Sequence, residues 1–157
     1  MVSQPNTKEV GVVDVNFGED VTVVNPVNLY GCRIGSGCFI GPFVEIQKNV
    51  TIGNGTKIQS HSFICEMVEI GEDCFVGHGV AFINDAFIND GPAKGDKALW
   101  QKTIIGNNVA IGSNATILPV QICDHVVIGA GSVVTKDINE VGVYAGNPAR
   151  RLNSEAG

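Results

Sequence analysis

The sequence predicts an all-β fold, a parallel β-helix wound from six-residue repeats, and three observations carry that prediction. From Ile34 onward every sixth residue is large and apolar: Ile34, Ile40, Ile46, Ile52, Ile58, Ile64, Ile70, Val76 and Phe82. With 44% of the chain apolar, such a run arises by chance roughly 6 times in 10,000. Four residues after each anchor stands a small or β-branched residue: Cys38, Val44, Val50, Thr56, Ser62, Val68, Cys74 and Val80. Glycine supplies 20 of the 157 residues, well above its usual share of about 7%, which with the aliphatic content points to many short strands and many turns. A period of six matches neither the 3.6 of a helix nor the two-residue alternation of ordinary hairpins. It matches short strands alternating with tight corners, with the anchors pointing inward.

The elements follow in order. Phe17, Val23 and Leu29 open the pattern, and one residue is missing before Ile34. The unbroken run to Phe82 contains corner pieces such as Gly53-Asn54-Gly55 and Gly71-Glu72-Asp73, residue types that tolerate positive φ. The period stops at Asp85 and resumes at Ile105, Ile111 and Ile117; another residue is missing before Ile122, Ile128 and Val134. Both slips keep the anchors inward only if a corner is shortened. Residues 85–102, DAFINDGPAKGDKALWQK, have no such period and carry the sole tryptophan, Trp100, with Lys94, Lys97 and Lys102. An aperiodic excursion of this length from a compact domain points to a working or mobile loop. The chain closes with DINEVGVYAGNPARRL, where Gly146-Asn147-Pro148 reads as a turn leading off the coil. A single coil cannot bury its anchors, so the stack is the cooperative unit. The expected organisation is one domain over 1–152, with an extruded loop at 85–102, a C-terminal extension over 138–152 and a short tail at 153–157.

Composition excludes several classes. Ten basic against 16 acidic residues leave a net charge of −6, which argues against nucleic acid as a partner, since phosphates need a surplus of Lys and Arg. No apolar run approaches the roughly 18 residues of a membrane span. The opening MVSQPNTKEV lacks the apolar stretch of a signal peptide, so a cytoplasmic location is expected. The five cysteines, Cys32, Cys38, Cys65, Cys74 and Cys123, are odd in number and show no C-x-x-C spacing. They read as reduced core thiols, with no metal site.

Three phrases narrow the family. IGSNATILP (111–119), VIGAGSVVTKD (127–137) and AGNPAR (145–150), set in a six-residue period from about 15 to 152, resemble the left-handed β-helix acyltransferases. That resemblance implies a three-sided, left-handed coil of about 18 residues per turn. It also implies acetyl-coenzyme A (acetyl-CoA) or a related thioester as donor, and a homotrimer with active sites between subunits. The segment SHSFICEMVEIGEDCFVGHGVAFIND (60–85) is similar to the nucleotide-sugar N-acetyltransferases. These acetylate a 3-amino sugar, carried on UDP or dTDP, for lipopolysaccharide O-antigen or another bacterial surface glycan. Two stretches depart from the pattern: Ala86, Phe87 and Ile88 replace a basic-aromatic-proline stretch, and Val120 follows ILP where relatives have glycine. The coenzyme A positions carried over are Ser113, Ala130, Thr135, Lys136 and Arg150, the last two as phosphate partners.

The chemistry itself asks for a neutral amine, a thioester carbonyl within reach, and donors for the developing oxyanion. Stacking with the shortened coil puts Ser113 and Ala130 on one outer edge, where small side chains let a pantetheine arm lie against backbone amides. Imidazole is the side chain whose ordinary titration falls nearest neutrality, which makes His78 the candidate base. Asn84 is the candidate that orients the amino sugar or the acetyl carbonyl, with Glu66 and Lys48 stacked beneath it. His78 and Asn84 are expected at equivalent corners of adjacent faces. Asp85, His61 and Glu66 are further candidate substrate contacts. The loop lysines are expected to supply positive potential for anionic ligands, with Trp100 or Phe87 stacking on a ring. Three other readings share the coil. One is a hexapeptide acetyltransferase acting on a sugar hydroxyl or a 4-amino sugar; another is a non-catalytic scaffold. The third, a zinc hydrolyase, needs three converging histidines with a close pair, whereas His61, His78 and His125 lie 17 and 47 residues apart.

Overall fold

The computed structural model describes residues 3–152, so the expected tail at 153–157 lies outside the described residues. The chain winds into a left-handed parallel β-helix of about seven coils. Its strands, most of them two residues long, align into three sheets of 7, 6 and 8 strands. The first sheet climbs from Val12–Val13 through Glu45–Ile46, Phe63–Ile64, Ala81–Phe82 and Thr116–Ile117 to Val133–Val134. The second runs from Asn16–Phe17 to Gln121–Ile122, and the third from Thr22–Val23 through Val126–Ile128 to Gly142–Ala145 and Arg150–Arg151. The pairs are parallel except the last, Gly142–Ala145 with Arg150–Arg151, which is antiparallel.

The anchors form the core. Ile40 pairs with Ile58, Ile58 with Val76 and Val76 with Ile111, and all four side chains are buried. The smaller residues four positions on, from Cys38 to Val80, are buried as well and fill the space beside the corners. Each buried isoleucine contributes about 1.5–3 kcal/mol, repeated rung after rung.

Both slips are absorbed at corners. Leu29 and Ile34, five residues apart, are both buried, as are Ile117 and Ile122. Gly31 makes the first shortened corner possible: it sits at φ +58°, and a Cβ there would lie 2.7 Å from Lys48 Cβ. Phe17 keeps the inward register opposite Ile34, yet it is 41% exposed because it lies in the lowest coil, with no rung beneath it to cover it.

Residues 85–102 leave the coil after Asn84, and the helix resumes in register, with Phe82 opposite Ile117. At the other end the Gly146-Asn147-Pro148 turn does not lead off the coil. Gly146 at φ +99° turns the chain back on itself, and Tyr144 pairs with Arg151. The returning segment satisfies the last open edge, with the Leu152 amide donating to Val143 O at 2.8 Å, which closes a row of otherwise unpaired backbone groups.

Candidate functional site

The three corners of the prism differ in chemistry, and each difference is set by the residue two positions past the anchor. Between the second and third sheets these residues are Ser36, Asn54, Glu72, Asn107 and Asp124, and they bond to one another. Ser36 N donates to Asn54 Oδ1 at 2.9 Å, Glu72 N to Asn107 Oδ1 at 2.8 Å, and Asn107 N to Asp124 Oδ1 at 2.8 Å. That corner is a closed polar ladder, spent on structure.

The corner between the third and first sheets reads Pro42, Ser60, His78, Ser113 and Ala130 from bottom to top. Its stacking is fixed by backbone bonds from Gly79 N to Ser60 O, Asn114 N to His78 O and Gly131 N to Ser113 O. His78 is exposed and held from two sides: its Nδ1 lies 2.8 Å from Ser60 Oγ, and its amide donates to Ser113 Oγ at 3.2 Å. Above it the ladder stops. Ala130 has no side chain to offer, and among the described residues the amides of Ser113 and Ala130 have no acceptor. With Gly112, Gly129 and Gly131 alongside, this upper corner presents bare backbone donors. Ser113 and Ala130 thus share one edge, and His78 joins them there.

The corner between the first and second sheets carries Lys48, Glu66, Asn84 and, higher up, Lys136, in the register of Phe63 with Ala81, Ala81 with Thr116 and Thr116 with Val133. Here the loop folds back and is stapled down. Lys97 Nζ reaches both oxygens of the buried Glu66 carboxylate at 2.8 Å, and Lys48 Nζ stands 3.8 Å from Glu66 Oε1. The carboxylate holds the Lys97 ammonium above the ordinary lysine range, and that ammonium also sits 5.2 Å from the Trp100 ring centroid. Asp85 accepts from the amides of Phe87 and Ala93 at 3.1 and 2.7 Å, one on each oxygen. Asn84 Nδ2 donates to Glu66 O at 3.1 Å, and Asn84 O accepts from Gln101 N at 2.8 Å.

Glu66 and Asp85 therefore have their oxygens engaged by the chain itself, whereas among the described residues Asn84 keeps its Oδ1 and one N–H free. Of the loop lysines, Lys97 is bound to Glu66 and Lys102 to Glu69 at 2.6 Å, leaving Lys94 exposed. His78 closes the third face two residues past Val76 and Asn84 closes the first two residues past Phe82, so they stand at equivalent corners of adjacent faces, one at each end of the Ala81–Phe82 strand. Among the described residues no hydrogen bond joins them within one chain, and the Ala81–Phe82 strand, with Phe82 buried, stands between them. Thr135 is exposed on the same turn as Lys136. Lys136 and Arg150 line one cleft of about 360 Å³ at the C-terminal end, with Asp137, Tyr144 and Arg151. His61 stacks on Phe43 below His78, while His125 lies at the polar-ladder corner, so the three histidines do not converge.

Comparison with known proteins agrees with this coil. The bacterial transferase hexapeptide model (six repeats) matches residues 31–66, and the hexapeptide repeat of succinyl-transferase matches residues 102–136. The chain is a hexapeptide-repeat protein. It is 40% identical over 150 residues to the bifunctional protein GlmU of Clostridium botulinum, covering 92% of this chain and 29% of that one. The chain thus spans about a third of the length of the curated relatives it matches. A galactoside acetyltransferase in complex with coenzyme A superposes with TM-score 0.65 and 29% identity, over 90% of this chain and 64% of the other. A mutant form of perosamine N-acetyltransferase from Caulobacter crescentus, in complex with CoA and GDP-perosamine, gives TM-score 0.64 at 21% identity, over 91% and 57%; at that identity it speaks for the fold.

Two contacts of this hexapeptide-repeat protein differ in how far the sequence announces them. Ser60 lies 18 residues before His78, one full coil, so the period alone places it beneath the imidazole. Lys97 lies 31 residues from Glu66, inside the aperiodic loop, where no period points to its partner.

Proposed function

We propose that this protein is an acetyl-CoA-dependent N-acetyltransferase acting on the amino group of a nucleotide-linked 3-amino sugar for bacterial surface glycan synthesis, working as a cytoplasmic homotrimer. The observation that carries the reading is the third–first corner, where an exposed imidazole stands directly below a bare column of backbone donors. Pantetheine carbonyls accept from the Ser113 and Ala130 amides, and Lys136 and Arg150 neutralise the phosphates, with Thr135 beside them. The coenzyme A complexes among the neighbours support this donor, and the GDP-perosamine complex supports a nucleotide-linked amino sugar as acceptor.

In the tautomer with its proton on Nδ1, His78 donates to Ser60 and presents the Nε2 lone pair. Nε2 takes a proton from the sugar ammonium. The freed amine attacks the thioester carbonyl carbon, forming the C–N bond, and the C–S bond then breaks. The departing thiolate is protonated by the imidazolium, and the attacking nitrogen gives up its second proton to water, so the products are the amide, the free thiol and one released proton. Asn84 offers its free N–H to the carbonyl oxygen or its Oδ1 to the amine. Because His78 and Asn84 of one chain are kept apart by a strand, the working pair comes from two chains, His78 of one and Asn84 of the next.

The third-sheet face favours such an assembly. Phe75, Val127 and Val143 point outward in one column, each 43% exposed, and a neighbour packed there lies beside the His78 corner. The test is a panel of nucleotide-linked 3-amino and 4-amino sugars with acetyl-CoA, following free thiol. Turnover confined to amino sugars is expected. Turnover only on a hydroxyl acceptor overturns the amine reading, and no saturable acetyl-CoA binding overturns the enzyme.

A further inference from the structure

Below His78 the same corner ends in an aromatic pair that the donor chemistry does not use. Phe43 occupies the left-handed region at φ +61°, in a column whose other members are His61, Gly79, Asn114 and Gly131. A bulky residue there is an outlier, and strain of this kind is kept where the displayed group has a use. Phe43 is 56% exposed. One side of its ring is backed by His61, centroids 4.8 Å apart and planes tilted by 32°. It borders a cavity of about 240 Å³ shared with Val10, Pro26, Asn28 and Glu45. Glu45 accepts from Asn28 Nδ2 at 3.1 Å and from Gln47 Nε2 at 2.9 Å, which leaves carboxylate lone pairs for further donors.

We propose that Phe43 and His61 form a stacking platform for the nucleobase of the acceptor, with Glu45 accepting from a ring N–H of the base. This rests on the nucleotide-sugar reading and names its acceptor subsite. Phe43 lies two rungs below the His78 level, about 10 Å at the usual strand spacing, so ribose and diphosphate run upward along the corner and present the sugar amine to His78. The thioester comes down from Ser113 and Ala130 to meet it. Donor and acceptor then share one edge of one chain, head to head. A carboxylate acceptor favours uracil, thymine or guanine, which carry a ring N–H, over adenine, which does not.

The experiment is calorimetric titration of the full chain with UDP, dTDP, GDP, ADP and, separately, acetyl-CoA, alongside Phe43→Gly and His61→Ala. At least one of UDP, dTDP and GDP binds more tightly than ADP. Phe43→Gly weakens that nucleotide about tenfold or more, the scale of one base–aromatic stack, and leaves acetyl-CoA affinity in place. Its melting temperature is level or raised, because glycine adopts positive φ without the L-residue penalty. Acetyl-CoA binding with no nucleotide binding overturns the platform and spares the donor site. Unchanged nucleotide affinity in Phe43→Gly, or a change only in self-association, also overturns it. Nucleotide binding that responds to Phe43 without acetyl-CoA binding supports the platform and sinks the acetyl-donor reading instead.

Discussion

Cys38, Thr56 and Ser62 each donate to a glycine carbonyl 15 residues later, at Gly53, Gly71 and Gly77, over 3.1, 2.8 and 2.8 Å. Cys74 repeats the contact to Gly106 at 3.1 Å across the insertion. The sequence presents this column as small or β-branched filler, and half of that description is physical: the space is narrow. The other half is hydrogen bonding, since a corner carbonyl buried without a donor costs about 1–3 kcal/mol. Positive φ was legible at Gly55 and Asp73, whose types invite it, and illegible at Phe43 and Met67, whose types oppose it. Burial also governs the thiols. It pushes Cys32 up to about 11 and Cys65 up to about 12, from an ordinary value near 9. A thiol raised on folding contributes stability that is whole below its unfolded value and is lost as pH climbs through the folded one. Thermal unfolding is therefore expected to move to lower temperature between pH 9 and 11, and Cys65→Ala to flatten that slope while lowering stability modestly at neutral pH. A wild-type melting temperature that stays level across this window contradicts the assignment.

The coil, as an element, was legible because its period is enforced by contact between rungs. At Gly53 an added Cβ would lie 2.5 Å from the backbone of Gly71 in the next rung, so the repeat reports packing directly. The two shortened corners were legible for the same reason: a slip of one residue had to be absorbed without turning an anchor outward. What the period could not report is how the corners divide their work. The ladder from Ser36 to Asp124 and the bare edge at Ser113 and Ala130 have the same spacing and differ only in side-chain reach. Nor could it report the loop, whose attachment depends on Glu66, a residue that looks like a ligand contact in sequence and is a staple in space. Removing one partner of a buried charged pair is costly, but here the loop can swing out and let water reach the freed lysine. Glu66→Gln is accordingly expected to lower the melting temperature by only a few degrees, because the amide keeps an oxygen for Lys97 to reach and the lysine end of the pair is half exposed. The same change should speed amide exchange and proteolysis between Asp85 and Lys102 at least several-fold. Because Lys97 is held protonated by Glu66, wild-type loop protection should persist through neutral pH and fade as pH rises past the lysine range. A loop equally protected in both proteins would remove Glu66 from this role.

At the scale of the molecule, a prism leaves three kinds of surface: two ends, three corners and three faces. The C-terminal end is closed by the returned strand, and the lower end keeps Val12, Phe17 and Val24 partly uncovered. Among the faces, the second carries Asn16, Arg33, Thr51, Glu69 and Gln121 outward, residues at ease in water, while the first mixes Glu45 and Thr116 with Phe63, Ala81 and Val133. On the third, Phe75 aligns with Ala110, Ala110 with Val127 and Val127 with Val143, a continuous apolar column across adjacent strands. A contiguous apolar stripe on a sheet face marks an interaction surface, and in the proposed assembly a second copy of this chain covers it. The consequence couples assembly to ligand binding, because the His78 corner borders that face and Asn84 stands on another. Val127→Glu places a charge in the middle of the column without disturbing the core, since the side chain points away from it. Sedimentation of this variant is expected to show the monomer at concentrations where the proposed assembly has the wild type sediment as a trimer, with melting lowered only as far as lost association dictates. Amino-sugar turnover should fall by at least a hundredfold, while an isolated monomer still folds with the same circular dichroism. If Val127→Glu sediments and turns over as the wild type does, the third face is not where subunits meet, and the pairing of His78 with a neighbour's Asn84 loses its geometry.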